Sequence, residues 1–522
     1  HSKRYTFVDI ALELDPRPDL EQGDVLGVRV ERMMAAVDEI HAGNERIAMG
    51  EDRAPLATLN YLYMGTIGAC FYLLGTGYLY SVTGSLNMAD LSRILPELHE
   101  SRVVLVAFGF LLIGIAMKMA LFPLHIWLPD AYTYAPSVVT AFLAATATKV
   151  AVYVLLRFML DIFGIDFSLG RMPLEYILLP VGLLGILSAS LVAIYQVEVK
   201  RLLAYSSIAQ MGYALFGLAM MNHLGWLMAL MFVINHYIYK SMLFLSVGGI
   251  ARRTGTRDMY RMGGLITLMP LSFIAVLIGI IAVSGVPPLS GFGGRWIFYN
   301  AIMTAEYRLP LVIIFLAGPI AFLYLFRLIH TIFLGQLKDE HRKIREAPFW
   351  LILPQMIYVV FLLGFALVPG LALRHVDAFM TNYLPNGGGL NWEGLTITSE
   401  FGYWSPVSIM VIIGMIFMLV FSVLLLVNRK AQKVKQFNIV FSAERPYRPE
   451  TTHYAWNFYA PYRKALGFLT EPVVERFWAA LVDLLHATAD ATSGVMARAS
   501  FAPEPDEGGG ARTTDAVSRA TR

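Results

Sequence analysis

Long apolar runs repeat along the middle of this chain, whereas its two ends are polar. About eleven of these runs are long enough to cross the hydrocarbon core of a bilayer as a helix, which takes about 20 residues. The pattern therefore predicts an all-α, multi-pass membrane protein with about eleven transmembrane helices. The runs lie near residues 57–80, 102–128, 137–163, 173–196, 205–221, 224–250, 264–283, 285–304, 309–334, 349–373 and 405–427.

Prolines interrupt this pattern at two places. Pro123 and Pro129 lie in the run FPLHIWLPD, and Pro287 and Pro288 follow a glycine between two short apolar runs. Each proline removes a backbone donor and bends or breaks a helix. The carbonyl groups released in this way need water or polar side chains as partners. We therefore expect two broken helices, each beside a hydrated site.

Polarity divides the chain into four segments. Residues 1–54 are densely charged, 55–427 form the predicted transmembrane domain, 428–500 contain a polar linker and a helix, and 501–522 are expected to be disordered. The helix that opens near Glu471 is predicted to be amphipathic, and two positions remain open for it. It packs on its own protein, or it docks to the membrane interface or a neighbouring subunit. Its apolar face carries Val474, Phe477, Trp478, Leu481 and Leu485.

Composition excludes several kinds of function. Hydrophobic residues make up 57% of the chain and charged residues 15%, which is far from the balance of a soluble domain. The net charge is only +3 and the basic residues are scattered along the chain, so no nucleic acid is expected as a partner. Cys70 is the only cysteine, so the chain has no internal disulfide and no cysteine-ligated metal site. We expect no cofactor or metal here, and any redox centre belongs to another chain.

Three lysines lie inside the apolar runs. Lys118, Lys149 and Lys240 each interrupt a predicted transmembrane helix. A cation at this depth is costly, so it usually faces a polar interior and handles ions or protons. The alternative, in which the side chain extends to the membrane surface, fits poorly with positions in the middle of a span. The pattern predicts a buried line of titratable groups.

The spacing of these residues brings groups together. Lys118 and Lys149 lie on consecutive spans and can reach a similar depth, where two cations disfavour each other's charged form. His236 lies four residues before Lys240, so both share a helical face and can exchange protons directly or through one water. Alternatively, His236 is a core residue with its hydrogen bonds satisfied.

Two further residues belong to the interrupted helices. His125 lies between two prolines, where it contributes to a hydrated path or donates a hydrogen bond at the helix break. Arg295 follows the second break. Arginine hardly ever deprotonates, so it can stabilise or gate anions or carboxylates without carrying protons itself.

Five motifs follow one another along the chain. They are K-x3-FPLH-x-WLPDA from Lys118, AP-x4-AFLAA-x3-K ending at Lys149, KR-x-LAYSSI-x-Q-x-GY from Lys200, H-x3-K-x2-LF from His236, and GVPP-x2-GF from Gly285. In this order they resemble the antiporter-like subunits of respiratory complex I and of Mrp-type multisubunit cation/proton antiporters, over about residues 55–335. The segment Ser85-Leu-Asn-Met-Ala-Asp90 is more similar to the Mrp-type branch.

The resemblance implies roles for the site residues. Lys118 would be the charge switch, Lys149 with the pair His236 and Lys240 the middle relay, and Arg295 the exit-side group, where the family usually has lysine or glutamate. Family members also have an upstream glutamate that pairs with the lysine matching Lys118. No residue of this sequence matches that glutamate; Glu39 lies near the expected distance, in polar surroundings.

These observations lead to one reading and two alternatives. The chain is expected to be a proton-translocating or cation/proton-antiporting subunit of a complex in the inner cell membrane. Its partners would be lipid and other membrane subunits of a complex I-like, hydrogenase-like or Mrp-type assembly, and its ions protons, with sodium left open. Such an assembly could be an NADH:quinone oxidoreductase. The alternatives are a transport-inactive structural subunit of a respiratory or hydrogenase-type complex, and a standalone small-solute carrier.

Overall fold

The computed structural model describes residues 53–168, 174–335, 337–384 and 390–427. Eight helices in these ranges are long and apolar enough to cross a membrane. The prediction of an all-α polytopic fold is confirmed. The charged segment 1–54, apart from its last two residues, lies outside the described residues, as do segments 428–500 and 501–522 with the predicted amphipathic helix.

The helices agree closely with the apolar runs. Short π-helical turns continue α5 and α11. In chain order the helices are α1 Ala54–Thr83, α2 Met88–Ile94, α3 Arg102–Met119, α4 Trp127–Tyr134, α5 Ser137–Arg157, α6 Leu174–Ile194, α7 Val199–Ala219, α8 His223–Thr254, α9 Pro270–Ser284, α10 Ser290–Thr304, α11 Arg308–Leu328, α12 Phe349–Leu367, α13 Gly370–Thr381 and α14 Pro406–Val427.

Both interrupted runs form broken helices, as predicted. The run 102–128 divides into α3 and the start of α4, and Ala120 takes a left-handed conformation with φ 54° between them. The second break separates α9 from α10 at Gly285, whose φ is 66°. At the first break the indole nitrogen of Trp127 donates to the carbonyl oxygen of Met117 at 3.0 Å. One carbonyl released by the break therefore finds a side-chain partner.

Helices α7 and α8 form the centre of the bundle. The apolar part of α7 is completely buried, with α6, α8 and α4 packed around it. Helix α8 also packs against α5, α9, α10 and α12. Helix α1 packs on α3 and α4 but leaves most of its surface uncovered within the described chain. Polar groups on α7 and α8 are consequently far from bulk water.

Two glycines allow α6 and α7 to approach closely. A Cβ atom on Gly212 would lie 2.8 Å from the carbonyl oxygen of Gly182 and 2.9 Å from the amide nitrogen of Ile186. Neither neighbour is a flexible side chain, so the helices would have to separate. Small residues at such contacts are typical of membrane helix pairs.

We expect Gly212→Ala to destabilise the protein by about 1–3 kcal/mol, because overpacking pushes two backbones apart. The measurement is thermal unfolding of the purified full chain in detergent. Gly109→Ala on α3 is the matched control, since a Cβ there meets nothing within 4 Å. Equal losses of stability in the two variants would contradict this account of the α6–α7 contact.

A small sheet follows α13 and was not predicted. Strands β1 Asn391–Glu393, β2 Thr396–Ser399 and β3 Gly402–Trp404 pair antiparallel in that order. The ring of Trp404 lies so close to Gly293 that a Cβ atom there would overlap it, and the hydroxyl of Ser399 donates to Asn300 Oδ1. The sheet therefore covers part of α10, the second half of the second broken helix.

Candidate functional site

Three basic side chains from two helices meet at the centre of the bundle. Lys149 on α5 is 7% exposed, His236 on α8 is 2% exposed, and Lys240 on α8 is fully buried. His236 interacts electrostatically with both lysines, and the two lysines interact with each other. We call these three residues the basic cluster. The structure thus brings together three of the six predicted site residues.

Lys240 is held by the neighbouring helix α7. Its ammonium group donates to the hydroxyl of Ser206 at 2.7 Å and to the carbonyl oxygen of Leu203 at 3.0 Å. Both acceptors are neutral, so they can remain in place when the lysine gains or loses its proton. This lysine is therefore positioned without being locked in one charge state by an ion pair.

His236 has unused hydrogen-bonding capacity. Neither its Nδ1 nor its Nε2 atom has a partner within the described part of the chain. An imidazole in this position has one donor and one acceptor to offer. Buried polar atoms of this kind are usually satisfied by ordered water. The Lys149 ammonium on the adjoining helix contacts the carbonyl of Ala144. Water at His236 would connect the two helices.

A row of polar residues on α7 extends from the basic cluster. Ser206, Gln210 and Tyr213 follow a spacing of four and three residues, so they share one face of this fully buried helix. Ser206 accepts from Lys240, and Gln210 Oε1 accepts from the hydroxyl of Tyr239 at 3.2 Å. We call Ser206, Gln210 and Tyr213 the polar ridge.

Arg295 lies at the other end of the polar ridge. Its Nη1 atom donates to the Tyr213 hydroxyl at 3.2 Å, and its guanidinium carbon lies 4.7 Å from the centre of that ring. The side chain passes over Gly285 at the second helix break, where a Cβ atom would approach Arg295 Cδ to 2.2 Å. Polar side chains on one face of α7 therefore extend from Lys240 toward the second broken helix.

His125 belongs to the first break. It is 7% exposed, its ring stacks on Phe122 with 5.7 Å between centres, and its Nδ1 atom lacks a partner among the residues described. Burial is consistent with either use of this histidine that the sequence allowed. No described contact joins it to the basic cluster.

Lys118 departs from the expected buried line. Its side chain is exposed in the described chain, so the prediction that it is buried with the other lysines is wrong for these residues. Its neighbour on α1 is Gly65, where a Cβ atom would lie 3.4 Å from Lys118 Nζ, and most of the α1 surface is uncovered in the described chain. Lys118 faces outward beside α1.

Lys200 and Arg201, at the start of α7, contact the second half of the first broken helix. Lys200 donates to the carbonyl oxygen of Ala135 at 2.7 Å, at the end of α4. Arg201 lies 3.3 Å from Asp130 within α4. Two of the sequence motifs thus meet in a structural contact. These residues position α4 against α7, and the geometry gives them no place in the basic cluster.

Sequence reasoning quoted the three residues of the polar ridge only as part of a motif and gave them no role, and it missed Asn235 and Tyr239, which face them. The available signal was the presence of several polar side chains within one apolar helix, α7, where they interrupt an otherwise hydrophobic run. A second signal was charge. The ionisable side chains that are buried in the described ranges are all basic or tyrosine; they contain no aspartate or glutamate.

Comparison with known proteins shows the family of this chain. Residues 47–320, more than half of the chain, match the family described as NADH:quinone oxidoreductase/Mrp antiporter, transmembrane. NADH-quinone oxidoreductase subunit N of Desulforudis audaxviator is 40% identical over 62% of this chain and 65% of its own length. A subunit of the Na(+)/H(+) antiporter of Alkalihalophilus pseudofirmus is 31% identical over 60% of this chain and 63% of its own length.

Solved structures extend the likeness to the fold. A chain of the membrane-bound sulfane sulfur reductase, an archaeal respiratory membrane complex, superimposes with a TM-score of 0.72 and 27% identity. That match covers 83% of this chain and 72% of the other. The present chain spans slightly less than two thirds of the length of the curated relatives above.

Proposed function

Because the chain belongs to the NADH:quinone oxidoreductase/Mrp antiporter transmembrane family, we propose that it moves protons across a membrane as one subunit of a larger complex. The observation that carries this proposal is the basic cluster. Three titratable groups lie within electrostatic reach of one another, deep in the bundle, and no carboxylate among the described buried residues fixes their charge. Such groups can exchange protons through intervening water.

The proposed path uses the polar ridge as its continuation. Protons reach Lys149, pass to His236 and Lys240, and continue along Ser206, Gln210 and Tyr213 toward the second break. Arg295 stands at that end as a fixed positive charge, since arginine does not release its proton. It sets the local field and does not carry the proton.

Lys118 has a separate part in the proposal. Its ammonium lies near the first break beside Gly65 of α1, where an acidic residue of another chain could reach it. An ion pair formed and broken there would change the field felt by the interior lysines. His125, buried in the same break, would lie on the water path that leads inward.

Lys149→Ala tests the proposed function. We expect proton flux through the assembled complex in proteoliposomes to fall at least about tenfold, because one proton-carrying group is removed. The amount of complex should remain unchanged. Lys343→Ala is the control, since Lys343 is exposed outside the helices. Normal flux combined with failed assembly would contradict the proposal.

A structural role is the second candidate. Arg295 favours it, because a side chain that holds its proton lies where the resemblance would place a titratable lysine or glutamate. A scaffold subunit would lose assembly in the variant above and leave the flux per assembled complex untouched. The two functions therefore give opposite results in one experiment.

The proposed setting follows from the relatives. The curated relatives are named as subunits and the solved structure is a membrane complex, which supports placing this chain among other membrane subunits in a lipid bilayer. The inner cell membrane is our proposal for that bilayer. Two relatives are named for sodium/proton antiport. The basic cluster favours protons as the proposed cargo, because its side chains can gain and lose protons and offer no oxygen ligand to a metal cation. Sodium stays open in the proposal.

A further inference from the structure

The proposed proton path leaves one buried charge without compensation. Arg295 is 3% exposed, and its Nη1 atom donates to the Tyr213 hydroxyl. The Tyr299 hydroxyl also interacts with the guanidinium group, but both of these partners are neutral phenols. The Nε and Nη2 atoms of Arg295 have no partner within the described residues. Burying a charge without a counter-charge is among the most costly arrangements in a protein.

Arg295 cannot reduce the cost of burying a charge by losing its proton, whereas the buried lysines can. A buried lysine can give up its proton and become neutral, whereas an arginine keeps its charge. Arg327, the other arginine in the buried set, donates to the carbonyl of Ile194 and to the hydroxyl of Tyr260. The two arginines differ at Nη2, which donates to Tyr260 in Arg327 and has no acceptor among the described residues in Arg295.

A small cavity lies beside Arg295 at the start of α10. It has room for about one water molecule or an ion of similar size. Its walls are formed by α7, α8, α9 and the first turns of α10, and several of the side chains belong to the path already described. The lining residues are Gln210, Phe232, Asn235, Tyr239, Gly291 and Gly294, with Ala282, Val283 and Arg295.

The start of α10 adds donors to the same place. The first amide groups of a helix lack intrahelical partners and carry the positive end of its dipole. Helix α10 has 15 residues, and its first turn contains Gly291, which lines the cavity, and Ser290, whose buried hydroxyl also lacks a partner among the described residues. The amide oxygen of Asn235, which also lines the cavity, lacks a partner among the described residues, and a turn of the amide about its last side-chain bond would direct its N–H groups inward instead.

The cavity has acceptors on its opposite side. Val283, at the end of α9, accepts a long contact of 3.5 Å from Gln210 Nε2, and Ala282 presents its carbonyl oxygen to Gly291. Both carbonyls already accept from protein donors, that of Val283 from Gln210 and that of Ala282 from the Gly285 amide at 3.3 Å. The guanidinium and the helix start therefore dominate the local charge, and this charge is positive.

We propose that this cavity binds a single small inorganic anion of the halide class. The anion accepts hydrogen bonds from Arg295 Nε and Nη2 and is stabilised by the start of α10. It compensates the buried guanidinium and holds the second broken helix in shape. The confined volume excludes larger anions such as gluconate. This inference does not depend on proton transport.

The test is thermal unfolding of the purified full chain in sodium chloride and in sodium gluconate of equal concentration. Chloride should raise the melting temperature relative to gluconate, because a bound ion stabilises the folded state. Arg295→Gln should abolish the difference. Arg327→Gln also removes a buried arginine and should retain it.

A milder variant guards against misfolding. Gly294→Ala keeps the charge and adds a methyl group that meets nothing closer than the Phe232 ring at 3.4 Å. It narrows the cavity, so the chloride concentration for half-maximal stabilisation should rise at least about tenfold.

Crystals of the full chain in sodium bromide should show anomalous scattering beside Arg295. A chloride effect that survives Arg295→Gln, no chloride effect in the unmodified chain, or no bromide signal at Arg295 would each overturn the proposal.

Discussion

Lys240→Met should lower proton flux by about 100-fold while leaving the fold intact. Lys240 is fully buried and uses two neutral acceptors, Ser206 and Leu203. Methionine has similar length and no charge, and replacing a buried ion by an apolar residue of similar volume is often neutral or stabilising. The loss should therefore appear in transport, measured as proton uptake into proteoliposomes that contain the assembled complex.

The control for this variant is Lys343→Met, which removes an exposed lysine between α11 and α12. Its flux should equal that of the unmodified protein. If Lys240→Met transports protons at the normal rate, Lys240 is not part of the path. If the variant fails to assemble, Lys240→Gln retains a hydrogen bond to Ser206 and separates folding from transport.

His236→Phe should reduce proton flux by a similar factor of about 100, for a different reason. The imidazole is the group that interacts with both lysines of the basic cluster. Its nitrogens have no described protein partner, so a phenyl ring of nearly the same shape breaks no hydrogen bond within the described chain. The edge contact with Tyr239, now 5.5 Å between ring centres, should persist.

His375→Phe is the matched control, since His375 is an exposed histidine on α13. It should leave both melting temperature and flux unchanged. A His236→Phe protein that keeps full flux would mean that protons pass from Lys149 to Lys240 without the imidazole, and the proposed order of the relay would be wrong.

The sequence predicted the membrane helices and their breaks because both follow from local chemistry. Apolar length determines a span, and Pro123 and Gly285 lie at the two breaks that the structure contains. The sheet at residues 391–404 escaped prediction because each of its strands has only three or four residues. So short an alternation cannot be distinguished from a loop.

The basic cluster was only partly predictable. Helical spacing placed His236 beside Lys240, but nothing in one sequence tells which helix faces that pair. The polar ridge on α7 depends on how α7 packs between its neighbours. The burial of Lys118 was wrongly predicted for the described chain for a related reason: it depends on how α1, another helix, packs beside this side chain.

The central claim is that water joins Lys149, His236 and Lys240 in one proton-conducting interior. The most direct measurement is an experimental structure of the assembled complex at a resolution that shows ordered water. We predict water molecules hydrogen-bonded to both ring nitrogens of His236, linking that ring to each lysine. Ring nitrogens packed against dry apolar side chains, with the two lysines separated by protein, would contradict the claim.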